Sequence, residues 1–381
     1  MTTTIWTRRR FVAAVSAAAI MPFSVAGCDQ NDSDSGSRQD EAIPITFKDL
    51  DGRTITLPRP AERIVALVVP DAAMAIAVHG SPTRLVGIHP RARNMFAKSF
   101  VSEIFPEVLQ IPTNIVVGGD FTPNVEGIAR LDPDVVIQWG DLGNDLVTPL
   151  ESAGIKVARY RALPEGGDAT LAAMLVMLGE MTGDARRAAH LNALRTQASR
   201  RLEGAVSRIP EGDRQRVLIL TRSGAATHAS GGDAAGVYSY LIYKAGGVNL
   251  AETLPDFSVV GTEQIAAWNP DVIFLFGTEG EAPEKIFNDP ILRSCKAAAD
   301  RRVYVLPTGS HYWGSLGPDD ALAQQWMAEL LYPNHLTPVL RNEMRQTYQA
   351  MFDQQFSDDR LNKILLSQTN RQSAHYERFL A

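Results

Sequence analysis

Cysteine is nearly missing from this chain of 381 residues: only Cys28 and Cys295 are present. That excludes a disulfide framework and a metal site built on paired thiolates. Phosphate-loop, dinucleotide, nucleophile-elbow and zincin signatures are also missing. There is no G-x-x-x-x-G-K, no G-x-G-x-x-G after a strand, no G-x-S-x-G and no H-E-x-x-H. The seven histidines are scattered, without a His-x-x-x-His pair or a His-rich loop. A bare zinc or manganese site needs about four ligands held close together, so direct metal binding is not expected. Beyond residue 40 there is no run of like charges and no low-complexity tract. The one apolar stretch near the start, residues 12–25, is too short and too alanine-rich to span a bilayer.

What that stretch does resemble is an export signal. Arg8, Arg9 and Arg10 precede it, and small residues follow it. Thr7-Arg8-Arg9-Arg10-Phe11 resembles a twin-arginine signal, with plain Sec export as the alternative. Val25-Ala26-Gly27-Cys28 resembles a lipobox, which implies cleavage after residue 27 and lipidation of Cys28. Residues 29–40, DQNDSDSGSRQD, contain no apolar residue and are expected to form a tether. Diacylglyceryl and acyl chains on Cys28 would anchor the protein to the outer face of the cytoplasmic membrane. In a Gram-negative host this is the periplasm, and Asp29 resembles an inner-membrane retention signal. Cys295 is left unpaired and is expected to be a small buried residue.

With the three arginines gone, 34 basic residues face 43 acidic ones, a net charge of −9. That argues against nucleic acid as a partner. About 340 residues remain to fold, enough for two domains.

One pattern occurs twice. Residues 126–137 read EGIARLDPDVVI and residues 263–274 read EQIAAWNPDVIF. In each, a short helix must stop at proline, and a β-branched strand starts at once. The shared glutamate, seven residues before the proline, makes duplication a better account than two unrelated helix-turn-strand units. Two α/β lobes are therefore expected, with a cleft between them.

The surrounding pattern fits. A hairpin over 45–57 turns at Asp51-Gly52. Strands are predicted at 64–69, 84–88, 135–138 and 155–160, with helices at 71–79, 93–104, 124–131 and 144–153. The second half repeats this, with strands at 217–220, 272–276 and 303–306 and helices near 235–245, 262–268 and 319–331. Near-continuous apolar strands alternating with helices predict parallel sheets covered on both faces. Between the halves, a helix over 168–181 breaks at Thr182-Gly183. A second, capped by Asp184, runs to about residue 208 with Leu191, Leu194, Ala198, Leu202 and Ala205 on one face. It is long enough to join two lobes as a rigid strut. The expected organisation is signal 1–27, tether 28–44, first lobe 45–165, connecting helices 166–209, second lobe 210–335 and a helical extension 336–381.

In order and spacing, five further segments carry a resemblance: DGRTITLPRPAERIVAL (51–67), RLVGI (84–88), LGEMTGDARRAA (178–189), LAQQWMAELLYP (322–333) and MRQTYQAMFDQQFSDDRLNKIL (344–365). Together with the duplicated units they make the chain similar to the substrate-binding proteins of ABC importers for iron complexes, haem and vitamin B12. The resemblance covers about residues 45–370. It implies an α/β fold of two Rossmann-like lobes joined by a long rigid helix, with the ligand in the cleft between them. It also implies a permease and an ATPase as partners, a monomer, and no cofactor. Glu126 and Glu263, one per lobe, match the glutamates that dock onto permease arginines in that family. The alternative is helix stabilisation alone, since each starts a short helix. Pro318-Asp319 departs from the proline-arginine common in relatives, so the arginine contact of that loop is not expected.

Ligands of open α/β sheets sit beyond the carboxyl ends of strands. The loops in that position carry His89, Arg91, Arg93, Trp139, Arg222, Tyr312 and Trp313. Arginine supplies both charge and hydrogen bonds to an anionic chelate, and the aromatic residues can pack on flat chelating groups. Each of these is otherwise a solvated cation, a core aromatic or a polar loop histidine. A ferric siderophore is the first expectation and cobalamin the second. Haem comes third, because it needs an axial His or Tyr. A two-lobed enzyme such as a chelatase is the reading of another class; turnover of a bound ligand would favour it.

Overall fold

The computed structural model describes residues 43–118, 120–223, 226–232, 239–277 and 280–380. The signal, the lipobox Cys28 and the tether up to residue 42 lie outside the described residues.

The chain opens with the expected hairpin, β1 (Ile45–Lys48) against β2 (Thr54–Leu57). Gly52 turns it with φ 76°, a region glycine enters without steric cost. The first lobe then alternates β3 (Ile64–Ala66), α1 (Val69–His79), β4 (Leu85–Ile88), α2 (Pro90–Phe96), α3 (Val101–Ile104), α4 (Val125–Ala129), β5 (Val135–Trp139), α5 (Thr148–Ser152) and β6 (Val157–Tyr160). Its sheet runs β4-β3-β5-β6, all parallel. The helix expected over 93–104 is two pieces. Ser99 Oγ donates to the Phe96 carbonyl and accepts from the Val101 amide, replacing the helical ladder at that point.

Two antiparallel helices follow, α6 (Gly167–Thr182) and α7 (Ala185–Val206). They approach closely at Gly179, where an added Cβ would lie 2.6 Å from Ala188. The buried line of α7 is Ala188, Leu191, Arg195, Ser199, Leu202 and Val206. Leu194, Ala198 and Ala205, placed on the buried face by the apolar pattern, are only half-buried. Polar partners turned the helix: Arg195 pairs with Asp168 at 2.5 Å, and Ser199 faces Gln324 at 3.5 Å.

The second lobe comprises β7 (Arg216–Ser223), β8 (Ala226–Ala229), α8 (Ser239–Lys244), β9 (Val248–Asn249), β10 (Ser258–Val259), α9 (Thr262–Trp268), β11 (Val272–Leu275), α10 (Glu284–Phe287), α11 (Lys296–Ala299), β12 (Val303–Val305) and α12 (Asp320–Leu331). The order is β10-β8-β7-β11-β12, with β9 also on β7. This sheet is not wholly parallel, because β8 and β10 form an antiparallel edge. Only residues 224–225 separate β7 from β8, and a parallel return needs a crossover of a dozen or more.

The last segment, with α13 (Leu340–Phe352) and α14 (Asp358–Ile364), does more than cover the second lobe. Asn370 and Ser373 bond to strand β12. On its other side, Tyr348, Phe352 and Phe356 all pack around Phe100 of the first lobe. Helix α7 bridges as well. It starts with Arg187 on the Ala77 and Met351 carbonyls and ends with Val206 against Gly246. At 1.5 Å per residue α7 is about 33 Å long. The lobes are thus tied by a straight rod and by a second packed layer.

Candidate functional site: a cleft at the carboxyl ends of two sheets

The two lobes meet beyond the carboxyl ends of their strands. The chain leaves β6 at Tyr160, and Gly167, a few residues on, lies directly against Tyr240 and Leu316 of the second lobe. Residues 97–100, Ser102 and Glu103 of the first lobe, Thr308 of the second and Arg360, Lys363 and Ile364 of α14 line one cavity.

On the first-lobe side, an aromatic row runs across three strand ends. The Arg91 guanidinium lies 5.7 Å over the Phe121 ring. Phe121 meets Trp139 at 5.6 Å, and Trp139 meets Tyr160 edge-on at 4.6 Å. Asp71, in the first turn of α1, is fully buried, and neither carboxylate oxygen has a hydrogen-bond partner among the described residues. Burial alone pushes its pKa well above the usual carboxylate range. Asp71 also raises the pKa of Tyr160, after the larger effect of that ring's own burial.

On the second-lobe side, Arg222 extends from the end of β7 and faces the buried Glu281 at 4.0 Å. Lys285 approaches the same carboxylate at 3.8 Å. Tyr312 packs its ring 5.5 Å from Phe276.

Three of the expected site residues are drawn elsewhere. His89 is buried and caps α2. Its Nδ1 accepts from the Arg91 amide, which leaves Nε2–H to donate to the Asp120 carbonyl. Desolvation lowers its pKa, with Arg91 adding to this, so it is a neutral structural cap. Trp313 is 1% exposed, and its indole N–H donates to Asp319. Arg93 lies two positions from Arg91, about 200° round the helix, and does not converge with it. Trp139, Arg91, Arg222 and Tyr312 remain at the strand ends. The Pro-Asp departure has a structural reason: Asp319 accepts from the Ser310 amide, Trp313 and Tyr348 and holds the 310–313 loop. His311 in that loop is buried, and burial lowers its pKa to about 4.

Sequence reasoning missed Tyr160, Glu281 and the role of Asp71. Tyr160 ends an apolar strand and reads as core. Pro70-Asp71 reads as one of the loops beyond the strand ends, but nothing local shows that the Asp71 carboxyl is left without a partner.

The duplicated units superimpose in their bonds. Asp134 Oδ2 accepts from the Glu62 and Arg63 amides, and Asp271 Oδ2 accepts from the Arg216 amide. Proline and aspartate therefore fix each first strand beside the strand that follows the motif. The glutamates have no such task. Glu126 makes an exposed pair with Arg130, and Glu263 is exposed.

This architecture is matched by a family. Residues 64–308 match periplasmic binding proteins along their length. The chain belongs to the periplasmic binding protein family. It is a substrate-binding protein of the kind that serves ABC transporters, and the family works outside the cytoplasm. A curated relative, the molybdate-binding protein MolA of Haemophilus influenzae, is 25% identical over 79% of this chain and 88% of its own length. A cobalamin-binding protein of Halobacterium salinarum is 28% identical over 61% of this chain and 58% of its own length. Among solved structures, a periplasmic solute binding protein from Veillonella parvula matches with a TM-score of 0.76 and 25% identity, over 86% of this chain and 98% of that one. MolA bound to molybdate shares the fold at a TM-score of 0.70, over 82% and 99%. As a periplasmic binding protein the chain is a transport component. Among the described residues no helix is long and apolar enough to cross a membrane.

Proposed function

We propose that this protein is the lipid-anchored binding component of an importer for an anionic metal complex, with a ferric siderophore as its ligand. The observation that carries the reading is one arginine at each carboxyl edge. Arg91 is held over Phe121, and Arg222 faces Glu281. Trp139 and Tyr312 supply flat surfaces beside them. Export through the twin-arginine signal and lipidation at Cys28 tether a monomer at the membrane, where it captures its ligand in the cleft. Glu126 and Glu263 then set the register of docking on the permease, whose ATPase drives uptake. The lobes at 45–165 and 210–335 act as the two jaws, and the connecting helices limit how far they close. No chemical step is required of the protein.

A second reading is an oxyanion of the molybdate type. It is favoured by the molybdate-binding relative, whose match extends over 88% of that protein. The test is tryptophan fluorescence of the mature protein titrated with ferric chelates, molybdate, cobalamin and haem. Saturable one-to-one binding of a ferric chelate supports the first reading. Binding of molybdate alone replaces it with the second. Binding of only cobalamin or haem rejects both.

A further inference from the structure

Three neighbouring strands of the first lobe end in polar groups, and two of these groups have no hydrogen-bond partner among the described residues. Strand β3 leads into α1, and Asp71 lies within the first turn of that helix. A turn rises about 5 Å, so its carboxyl stays near the sheet edge. Its relative exposure is 0%, and both oxygens lack partners. Strand β5 ends at Trp139, whose indole N–H is buried and also without a partner. Strand β6 ends at Tyr160, the register partner of Trp139. The strand order places β3, β5 and β6 side by side. Chain connections leave β3 for β4 on one side and reach β5 on the other, so this edge is the switch point at which open sheets bind ligands.

Buried polar groups are normally satisfied, and each orphan asks for an explanation. Two orphans beside a third polar tip at the switch point share one: the partner is a ligand. We propose that Asp71, Trp139 and Tyr160 form a hydrogen-bond-donating floor of the cleft that takes acceptor oxygens of the bound anion. The inference rests on the proposed function and narrows its ligand to one with clustered, unprotonated oxygens, as on a hydroxamate, a catecholate or an oxometallate. Asp71 has no cation beside it among the described residues, and its burial favours the uncharged acid. An uncharged carboxyl has an O–H to give, as do the indole and the phenol. Arg91 then supplies charge at the rim, and the floor supplies direction.

The test is calorimetric titration of the mature protein with ferric dihydroxamate and with sodium molybdate, in wild type, Asp71→Ala, Asp71→Asn and Trp139→Phe, with the melting temperature of each. The floor predicts that Asp71→Ala and Trp139→Phe each weaken binding by about tenfold, the worth of a buried hydrogen bond. Asp71→Asn, which restores a donor, recovers most of that loss. Asp71→Ala should not lower the melting temperature, because it removes an unpaired buried group. Three results would overturn the proposal. Asp71→Ala and Trp139→Phe could leave affinity unchanged. Asp71→Asn could lose as much as Asp71→Ala, which would mean a charged carboxylate gripping a cation. Asp71→Ala could lower the melting temperature and the affinity together, which would make Asp71 structural. If wild type binds only cobalamin or haem, the anion reading fails, and the same variants measured on that ligand decide the floor separately.

Discussion

Arg63 and Arg216 make the same bonds in the two lobes. The Arg63 guanidinium donates to the Leu131 and Asp132 carbonyls at 2.5 and 2.8 Å. That of Arg216 donates to the Trp268 and Asn269 carbonyls at 3.2 and 2.6 Å. Arg63 precedes β3 and Arg216 opens β7, and each closes the end of the short helix before the Pro-Asp unit. Asp132 and Asn269 carry the same left-handed φ, 44° and 47°. The repeat is thus a structural clamp with one exposed residue to spare, the glutamate.

Removing the clamp should cost stability in both lobes. Asp134→Ala strips one exposed and one part-buried amide of their acceptor, and Asp271→Ala strips one part-buried amide. Each change is expected to lower unfolding free energy by about 2 kcal/mol, read from urea denaturation. Ligand affinity at temperatures well below melting should hold, because neither residue is near the strand ends that form the cleft.

The glutamates should behave in the opposite way. Glu126→Lys with Glu263→Lys is expected to leave melting temperature and ligand affinity near wild type and to abolish uptake in cells. Unchanged uptake by the double variant would reassign both residues to helix stabilisation.

A pH effect on stability follows from the junction of α6, α7 and α12. Burial raises the Asp320 pKa to about 7, against the pull of Arg195 and with a further push from Asp168 and Asp319. A carboxyl with a raised folded-state pKa binds its proton more tightly when folded. Its contribution is therefore favourable below about pH 4 and is lost as pH rises to 7. Three units correspond to about 4 kcal/mol at 1.36 kcal/mol each. Asp320→Asn should thus raise the melting temperature over wild type by an amount that grows between pH 4 and pH 7 and then levels off. A difference that does not change with pH would show that Asp320 ionises normally.

The legible parts of this molecule were local ones. Pro-Asp-Val, the Asp51-Gly52 turn and the Thr182-Gly183 break each act through adjacent residues, so both parallel cores and the paired helices could be read directly. The Arg63 clamp could not, because its acceptors lie 68 and 69 residues away. Strand β8 was hidden in a segment, Ala226-Thr227-His228-Ala229, with little β-branched pattern; it is a strand because β7 is beside it. His89 and Trp313 were expected on loops beyond the strand ends, yet loop position does not tell which way a side chain turns. His89 turned inward to Asp120 and Trp313 to Asp319, and the tertiary partner decided each. Arg195 and Ser199 shifted the buried face of α7 for the same reason.

The most direct measurement is the affinity of the mature protein for a ferric chelate, by tryptophan fluorescence, in wild type, Arg91→Ala and Arg222→Ala. Arg91 and Arg222 come from different lobes, so a ligand held between the sheets must feel both. The expected result is saturable one-to-one binding in wild type, weakened about tenfold or more by either substitution, as for loss of a charge-assisted hydrogen bond, with the chelate recovered unaltered. Binding indifferent to both substitutions, or release of a chemically changed ligand, would contradict the account.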